Sequence, residues 1–239
     1  MRVLVVAVVA VLMLVGCNSV ALKSGDAKIA GTVAKPDGNG PFPALVLLHG
    51  CGGPQPGNAL WAAELNTWGY VTLEVHSFFG RGVNEICTNS SKVTVSERVT
   101  DAYAALDHLR TLPFVDKDRI GVMGWSHGAI VVQSVLWEHR RINEPRFKTG
   151  VAMYPSCNRT TLYAPMLVIV GSADDWTPSW RCAIYSNDDK VELHIYEGIW
   201  HSFDNPGPMR TYLGHQVGYS HEATMRARRD VRDFLGRTL

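Results

Sequence analysis

No stretch of this chain stays apolar for the roughly 20 residues that a membrane-spanning helix needs; the long apolar run, Val3 to Val15, is too short. Basic runs and acidic tails are missing as well. With 23 Lys and Arg against 22 Asp and Glu, the net charge is +1, which argues against a nucleic-acid partner. Internal repeats and low-complexity tracts are absent, so nothing competes with an ordinary globular reading of a chain that is 46% hydrophobic and 19% charged. Cys-x-x-Cys and His-x-x-x-His spacings do not occur, and no metal site is expected.

The short apolar run carries information of its own. Arg2 precedes it, giving the charged start and brief hydrophobic stretch of a secretion signal. Leu14-Val15-Gly16-Cys17 at its end resembles the lipobox of bacterial lipoproteins, which implies an acylated Cys17 as the new N-terminus. Acyl chains contribute about 0.8 kcal/mol per buried CH₂, so two or three of them would hold the protein at a membrane. Ser19-Val20-Ala21 offers an ordinary signal-peptidase site as the alternative, leaving a soluble periplasmic protein. The expected organisation is a signal peptide over 1–16, a lipidated cysteine and polar tether over 17–27, and a single domain over 28–239. Location in the bacterial periplasm or cell envelope follows. Cys51, Cys87, Cys157 and Cys182 are then an even set in an oxidising compartment, suited to one or two disulfides. Four cysteines allow three pairings, and the sequence does not choose among them, although Cys157 and Cys182 both follow expected strands.

Short runs rich in Val, Ile and Leu recur at Ala44–His49, Val71–Val75, Ile120–Met123, Gly150–Tyr154, Met166–Val170 and Val191–Tyr196, as strands buried on both faces do. Ile29–Val33 reads as an edge strand, closed by the turn-rich Pro36-Asp37-Gly38-Asn39-Gly40. Between them, Ala59–Trp68, Ser96–Leu112, His127–Trp137, Ser179–Ser186 and His221–Leu235 have helical periodicity. This alternation predicts an α/β fold: a mostly parallel, doubly wound sheet with helices on both faces. Ligand sites in such sheets lie beyond the carboxyl ends of the strands.

Gly124-Trp125-Ser126-His127-Gly128 falls between an expected strand and an expected helix. A nucleophilic serine must stand clear of the sheet on a sharp strand-to-helix turn, which crowds the residues two before and two after it; glycine at both removes the clash. In this architecture the acid and then the histidine follow the serine along the chain. Asp174 and Asp175 lie in the loop after Met166–Val170, and His201 lies in the loop after Val191–Tyr196. Either aspartate fits the residues alone, and Asp175 or Thr177 before Pro178 also suits a helix cap. Of the nine histidines, His215 and His221 are later alternatives to His201, and His194 falls within a strand. The tetrahedral intermediate calls for two donors. The N–H of His127, directly after the nucleophile, and that of Cys51, in the glycine-rich loop His49 to Gly53, are the candidates.

From about Lys28 onward the chain resembles the dienelactone hydrolase family of α/β-hydrolases. The resemblance rests on His49-Gly50-Cys51-Gly52-Gly53, Ser77-Phe78-Phe79-Gly80-Arg81-Gly82, the Ser126 elbow, Tyr154-Pro155, Gly171 to Pro178, and His201-Ser202-Phe203. It implies the α/β-hydrolase fold and a Ser126, Asp174, His201 triad, placing Asp174 ahead of Asp175. The family's namesake uses a cysteine nucleophile where this chain has Ser126, so dienelactone is not implied as substrate. A small-molecule ester or lactone cleaved through an acyl-enzyme, with no metal or organic cofactor, is the expected chemistry. Arg81 could pair with a substrate carboxylate, or anchor its own loop. Trp125 and Trp176 are candidate pocket walls, as are Trp200, Phe78 and Tyr154. Two other functions use the same features: acyl transfer to an acceptor other than water, and a catalytically silent binding lipoprotein on the same fold. Oligomeric state leaves no mark in the sequence.

Overall fold

The structure, a computed structural model, describes residues 18–158 and 161–239. The expected signal peptide and Cys17 lie outside the described residues. Strands β1 (Asn18–Ser24), β2 (Ala27–Ala34) and β3 (Phe42–Leu48) lead to helix α1 (Pro56–Thr67) and strand β4 (Val71–His76). Helix α2 (Val95–Thr111), strand β5 (Val115–Trp125) and helix α3 (His127–Val135) follow. Then come β6 (Gly150–Met153), β7 (Met166–Gly171), β8 (Val191–Tyr196), the hairpin β9 (Arg210–Tyr212) and β10 (His215–Val217), and helix α4 (His221–Thr238). Eight strands form one sheet in the order β1-β2-β4-β3-β5-β6-β7-β8. β1 and β2 run antiparallel to their neighbours, and from β4 to β8 every pairing is parallel.

β3 shows why the sheet must be covered twice. Ala44, Val46 and Leu48 point into a core shared with α2 and α3, while Leu45 and Leu47 point into another shared with α1 and α4. Each such fully buried aliphatic side chain contributes about 1.5–3 kcal/mol. Helix α2 is started by Thr94, whose hydroxyl accepts from Glu97 N–H while the Glu97 carboxylate accepts from Thr94 N–H at 2.8 Å, a reciprocal cap. Its buried stripe is Val99, Ala102, Ala105, Leu106 and Leu109, interrupted by Arg98 and Asp101 at the first turns.

Three expectations need correction. Residues 18–24 are not a tether: they pair with β2 along their whole length and make β1 the sheet's edge, so Ile29–Val33 is an inner strand. Only Leu22 and Ser24 of β1 are buried, which is why a strand covered on one face looked polar. Ser179–Tyr185 is helical but wound as a 3-10 helix. The hairpin β9–β10 was not expected, because its residues are largely exposed and lack apolar alternation. Among the described residues no helix is long and apolar enough to cross a membrane.

The cysteines pair as Cys51–Cys87 and Cys157–Cys182. The second pair is buried in the core beneath α2 and α3, whereas the first is half-buried at the carboxyl end of the sheet.

Candidate active site

β5 ends at Trp125 and α3 begins at His127, leaving Ser126 alone to turn the chain with φ 52° and ψ −115°. That geometry costs a non-glycine residue about 1–3 kcal/mol. The turn is so tight that a Cβ on Gly128 would lie 2.0 Å from the Leu48 carbonyl oxygen, and one on Gly124 2.4 Å from that of Gly128. Glycine at both is therefore a steric requirement of the elbow. Ser126 N–H is anchored on the Met153 carbonyl at 2.9 Å. Tyr154 (φ 42°) and Ser202 (φ 60°) are also held in the left-handed region, and all three line one cleft of about 460 Å³.

The acid and histidine loops are drawn together at Gly171, where any side chain would collide with the Ile199 carbonyl, 1.9 Å from the position of a Cβ. Ser172 N–H donates to the Tyr196 carbonyl and Ala173 N–H to that of Ile199. The result brings three sequence-distant residues into line. His201 Nε2 is 3.0 Å from Ser126 Oγ, and His201 Nδ1 is 2.7 Å from Asp174 Oδ2. Asp174 and His201 are both 3% exposed, so their pairing is shielded from water. The other carboxylate oxygen, Oδ1, accepts from the N–H groups of Trp176 and Thr177 at 2.9 and 2.8 Å. Burial pushes the Asp174 carboxyl up, but the hydrogen bond and charge of His201 and the bonds from Thr177 outweigh it and hold it below the usual carboxylate range. The Thr177 hydroxyl, 3.1 Å from His201 Nδ1 and 2.9 Å from Asp174 Oδ2, completes the setting.

Asp175 takes a different part. It is exposed, accepts from Gln216 N–H at 3.1 Å, and lies 3.6 Å from His215 Nδ1, so it fastens β10 and does not approach His201. His194 pairs with Asp230, and His221 lies beside Tyr219 at the start of α4.

The loop from Gly50 to Gly53 passes directly over the serine; a Cβ on Gly50 would be 3.5 Å from that of Ser126. Cys51 N–H has no backbone partner among the described residues, and His127 N–H is the first of α3, where no preceding turn offers a carbonyl. Cys51 lines the cleft, and His127 directly follows Ser126 at the start of α3.

Among the pocket candidates, Trp125 and Trp176 line the cleft, as does Tyr154. Trp176 is stacked on His215 at 4.9 Å and packs against Tyr212 and His201. Trp125 is 3% exposed and is committed to a hydrogen bond with Asp204. Phe78 is fully buried behind His49. Of the two roles open to Arg81, the structure shows the loop anchor: its guanidinium makes two hydrogen bonds to Asp101, at 3.0 and 2.8 Å, and one to the Ser77 carbonyl, and the residue does not line the cleft. Asp101 lies on α2, where only the tertiary fold reveals it as a partner. Among the described residues, the arginine that lines the cleft is Arg210.

Asp204 carries no motif in the sequence. It is 4% exposed, lines the cleft, and accepts from Trp61 Nε1, Trp125 Nε1 and Tyr154 Oη at 2.7, 2.8 and 2.7 Å. Burial pushes its carboxyl above the usual range, and these three bonds oppose that without cancelling it. It fixes Trp125, before the serine, to Tyr154, whose ring packs edge-on to His201 at 4.7 Å. Among the described residues no cluster of His, Cys, Asp and Glu is arranged to hold a metal ion.

The family model described as the dienelactone hydrolase family matches residues 29–239. Among solved structures, the chain is similar to a dienelactone hydrolase-like promiscuous phosphotriesterase from metagenomic libraries, at TM-score 0.76 and 18% identity, over 93% of this chain and 98% of that one. It is also similar to an esterase of Pyrococcus furiosus, at TM-score 0.69 and 16% identity over 93% of each chain. A thermophilic esterase of the planctomycete Thermogutta terrifontis matches at TM-score 0.68 and 16% identity, over 91% of this chain and 90% of that one.

Proposed function

As a member of the dienelactone hydrolase family with the α/β-hydrolase fold, this chain is a hydrolase, and we propose that it cleaves a carboxylic ester or lactone through an acyl-enzyme on Ser126. The observation that carries this reading is the unbroken line of hydroxyl, imidazole and carboxylate, 3.0 and 2.7 Å across its two links, at the floor of an open cleft.

In the first half-reaction Ser126 Oγ attacks the ester carbonyl while His201 Nε2 takes its proton. His201 Nδ1–H donates to Asp174, which keeps the ring in the tautomer whose Nε2 is a base and stabilises the imidazolium. Negative charge on the former carbonyl oxygen is met by the N–H groups of Cys51 and His127, aided by the positive end of α3. The tetrahedral species collapses as the His201 proton passes to the departing alkoxide, leaving an acyl ester on Ser126. Water then attacks that ester with His201 again taking a proton, and collapse returns the proton to Ser126 Oγ and releases the acid.

Ser126→Ala removes the nucleophile without disturbing the elbow, because the alanine Cβ occupies the space of the serine Cβ. Hydrolysis of p-nitrophenyl butyrate is expected to fall by about 10⁴–10⁶-fold, with an unchanged melting temperature. A fluorophosphonate probe is expected to label the wild type at residue 126 and to leave the variant unlabelled. Retained hydrolysis by the purified variant would refute the assignment.

The cell envelope is the proposed location, with the lipid anchor on Cys17. Gly16-Cys17 at the end of the apolar run supports it, and two disulfides are consistent with an oxidising compartment. Metabolic labelling with an alkynyl fatty acid, lost in Cys17→Ala, is the test.

A further inference from the structure

Arg98 is the largest charged group of the core, 0% exposed on a helix stripe that is apolar apart from it and Asp101. A buried cation is costly unless its hydrogen bonds are well placed, and those of Arg98 go to two particular loops. Nη1 donates to His127 Nδ1 at 2.8 Å, and Nη2 donates to the His49 carbonyl at 2.6 Å. Its face lies over the Phe78 ring, 5.3 Å from the centroid. His127 is the residue directly after Ser126, and His49 opens the loop that carries Cys51. One planar guanidinium therefore bridges the two segments to which the proposed mechanism assigns the oxyanion donors. Lysine cannot imitate this, because its single ammonium lacks the rigid fork.

From this bridge we propose that Arg98 is a positioning residue that sets the spacing of the two oxyanion donors, Cys51 N–H and His127 N–H. The inference rests on the acyl-enzyme reading above. The protonation pattern around Arg98 agrees with it. A guanidinium only donates, so His127 Nδ1 must accept and the ring is neutral with its proton on Nε2. Burial and then the Arg98 charge push His127 down to about 4, and the same two causes lower His49 well below its ordinary range. His49 Nε2 accepts from Ser77 N–H, so Nδ1 carries the proton and donates to the Gly50 carbonyl at 2.8 Å. That bond holds the peptide immediately before Cys51. The carboxylate near Arg98, Asp101, is engaged by Arg81 and by the Ser24 hydroxyl. Arg98 thus keeps its forks for neutral acceptors on the two loops.

The test uses the full mature chain and p-nitrophenyl butyrate, with wild type, Arg98→Lys, His127→Leu and His127→Gln. In Arg98→Lys kcat is expected to fall by about 10²-fold, the scale of a displaced oxyanion donor, with KM within about threefold of wild type. Affinity for a trifluoromethyl ketone, which forms an oxyanion on Ser126, should fall by the same factor as kcat/KM. His127→Leu leaves Arg98 in place without its acceptor and should show the same pattern more weakly; His127→Gln, whose side-chain oxygen accepts again, should restore most of kcat. Should Arg98→Lys fail to fold, the contrast between the Leu and Gln variants decides the matter. Equal kcat in wild type and His127→Leu, or a loss of kcat in Arg98→Lys unmatched by the ketone, would overturn the positioning role. Failure of fluorophosphonate to label wild-type Ser126 would instead overturn the function on which it rests.

Discussion

On the wall of the cleft formed by residues 49–53, almost every group is tied down: Cys51 by a disulfide to Cys87, its carbonyl by Ile86 N–H at 2.8 Å, and His49 by Ser77 and the buried Arg98. Another wall is the hairpin β9–β10, whose Tyr212 and Leu213 are 37% and 50% exposed. It is held at one end by the bridge between Val217 and His201 and along its length by Asp175 and the Trp176–His215 stack. In the proposed mechanism the first wall carries an oxyanion donor, and such donors act only from fixed positions, so rigidity belongs there. A wall that touches the remainder of the substrate tolerates, and gains from, adjustable contacts.

The sharpest break in that comparison separates two adjacent carboxylates. Asp174 is bonded to His201 and belongs to the proposed machinery, and Asp175 is bonded to the hairpin, although nothing but one peptide bond lies between them. Asp174→Asn is expected to lower kcat by about 10⁴-fold, since the amide favours the wrong histidine tautomer. Asp175→Ala removes a hydrogen bond at the surface, costs about 1 kcal/mol of hairpin anchoring, and leaves kcat near wild type. Steady-state kinetics of the two variants on one ester checks both; a comparable loss of kcat in Asp175→Ala would erase the distinction between the walls.

Arg81→Ala tests whether the rigid side also reads substrate charge. Its loss takes two charge-assisted hydrogen bonds from the fully buried Asp101, which keeps the Ser24 hydroxyl and the nearby Arg98 charge, so a destabilisation of about 3 kcal/mol is expected by chemical denaturation. Any activity loss should be the same for anionic and neutral esters. A loss confined to anionic esters would return Arg81 to the cleft.

The disulfides sharpen the comparison further. Closing loops of 36 and 25 residues, each is expected to contribute about 3–4 kcal/mol through the unfolded chain. Cys157→Ala with Cys182→Ala should therefore lower stability while kcat of the folded fraction holds. Cys51→Ala with Cys87→Ala should lower stability and also reduce kcat, by up to about 10²-fold, because the loop bearing a donor is freed. Kinetics at a temperature well below both melting points separates the two. Equal kcat in both double variants would show that the disulfide plays no part in holding the donor loop.

How much of this was legible before the fold was known depended on how local each signal was. The Ser126 elbow announced itself because its steric demand falls on Gly124 and Gly128, two residues either side. Chain order then led to the pair Asp174 and Asp175 and to His201, since loops at one end of a parallel sheet converge. Choosing Asp174 over Asp175 needed the family resemblance; in the structure the difference lies in which carboxylate the N–H groups of Trp176 and Thr177 enclose. Asp204 carried no local sign, because its donors Trp61, Trp125 and Tyr154 come from three separate segments. The choice between the two roles open to Arg81 had no local sign either, because its partner Asp101 lies 20 residues away on α2. Arg98 and Asp101 could have been flagged, as charges falling on the apolar stripe of α2, a departure visible in the periodicity alone. β1 and the hairpin were hidden because each has an exposed face, and alternation weakens when half of the pattern meets water.

The smallest expected effect bears on the hairpin itself. Tyr212 lines the cleft and packs its ring 5.8 Å from that of Trp176, which in turn lies beside His201. Tyr212→Ala removes aromatic surface worth about 0.5–1.5 kcal/mol to a bound apolar group, so KM for an aryl or long-chain ester should rise by about three- to tenfold. For an acetate ester too short to reach the hairpin it should not change. Because the ring is partly exposed and its strand short, stability should stay within about 0.5 kcal/mol of wild type. The decisive quantity is how the loss divides: a rise in KM at constant kcat means that Tyr212 contributes equally to the bound ester and to the transition state. A fall in kcat at constant KM would mean instead that the hairpin holds His201 in register through Trp176, and the two walls would then be one device.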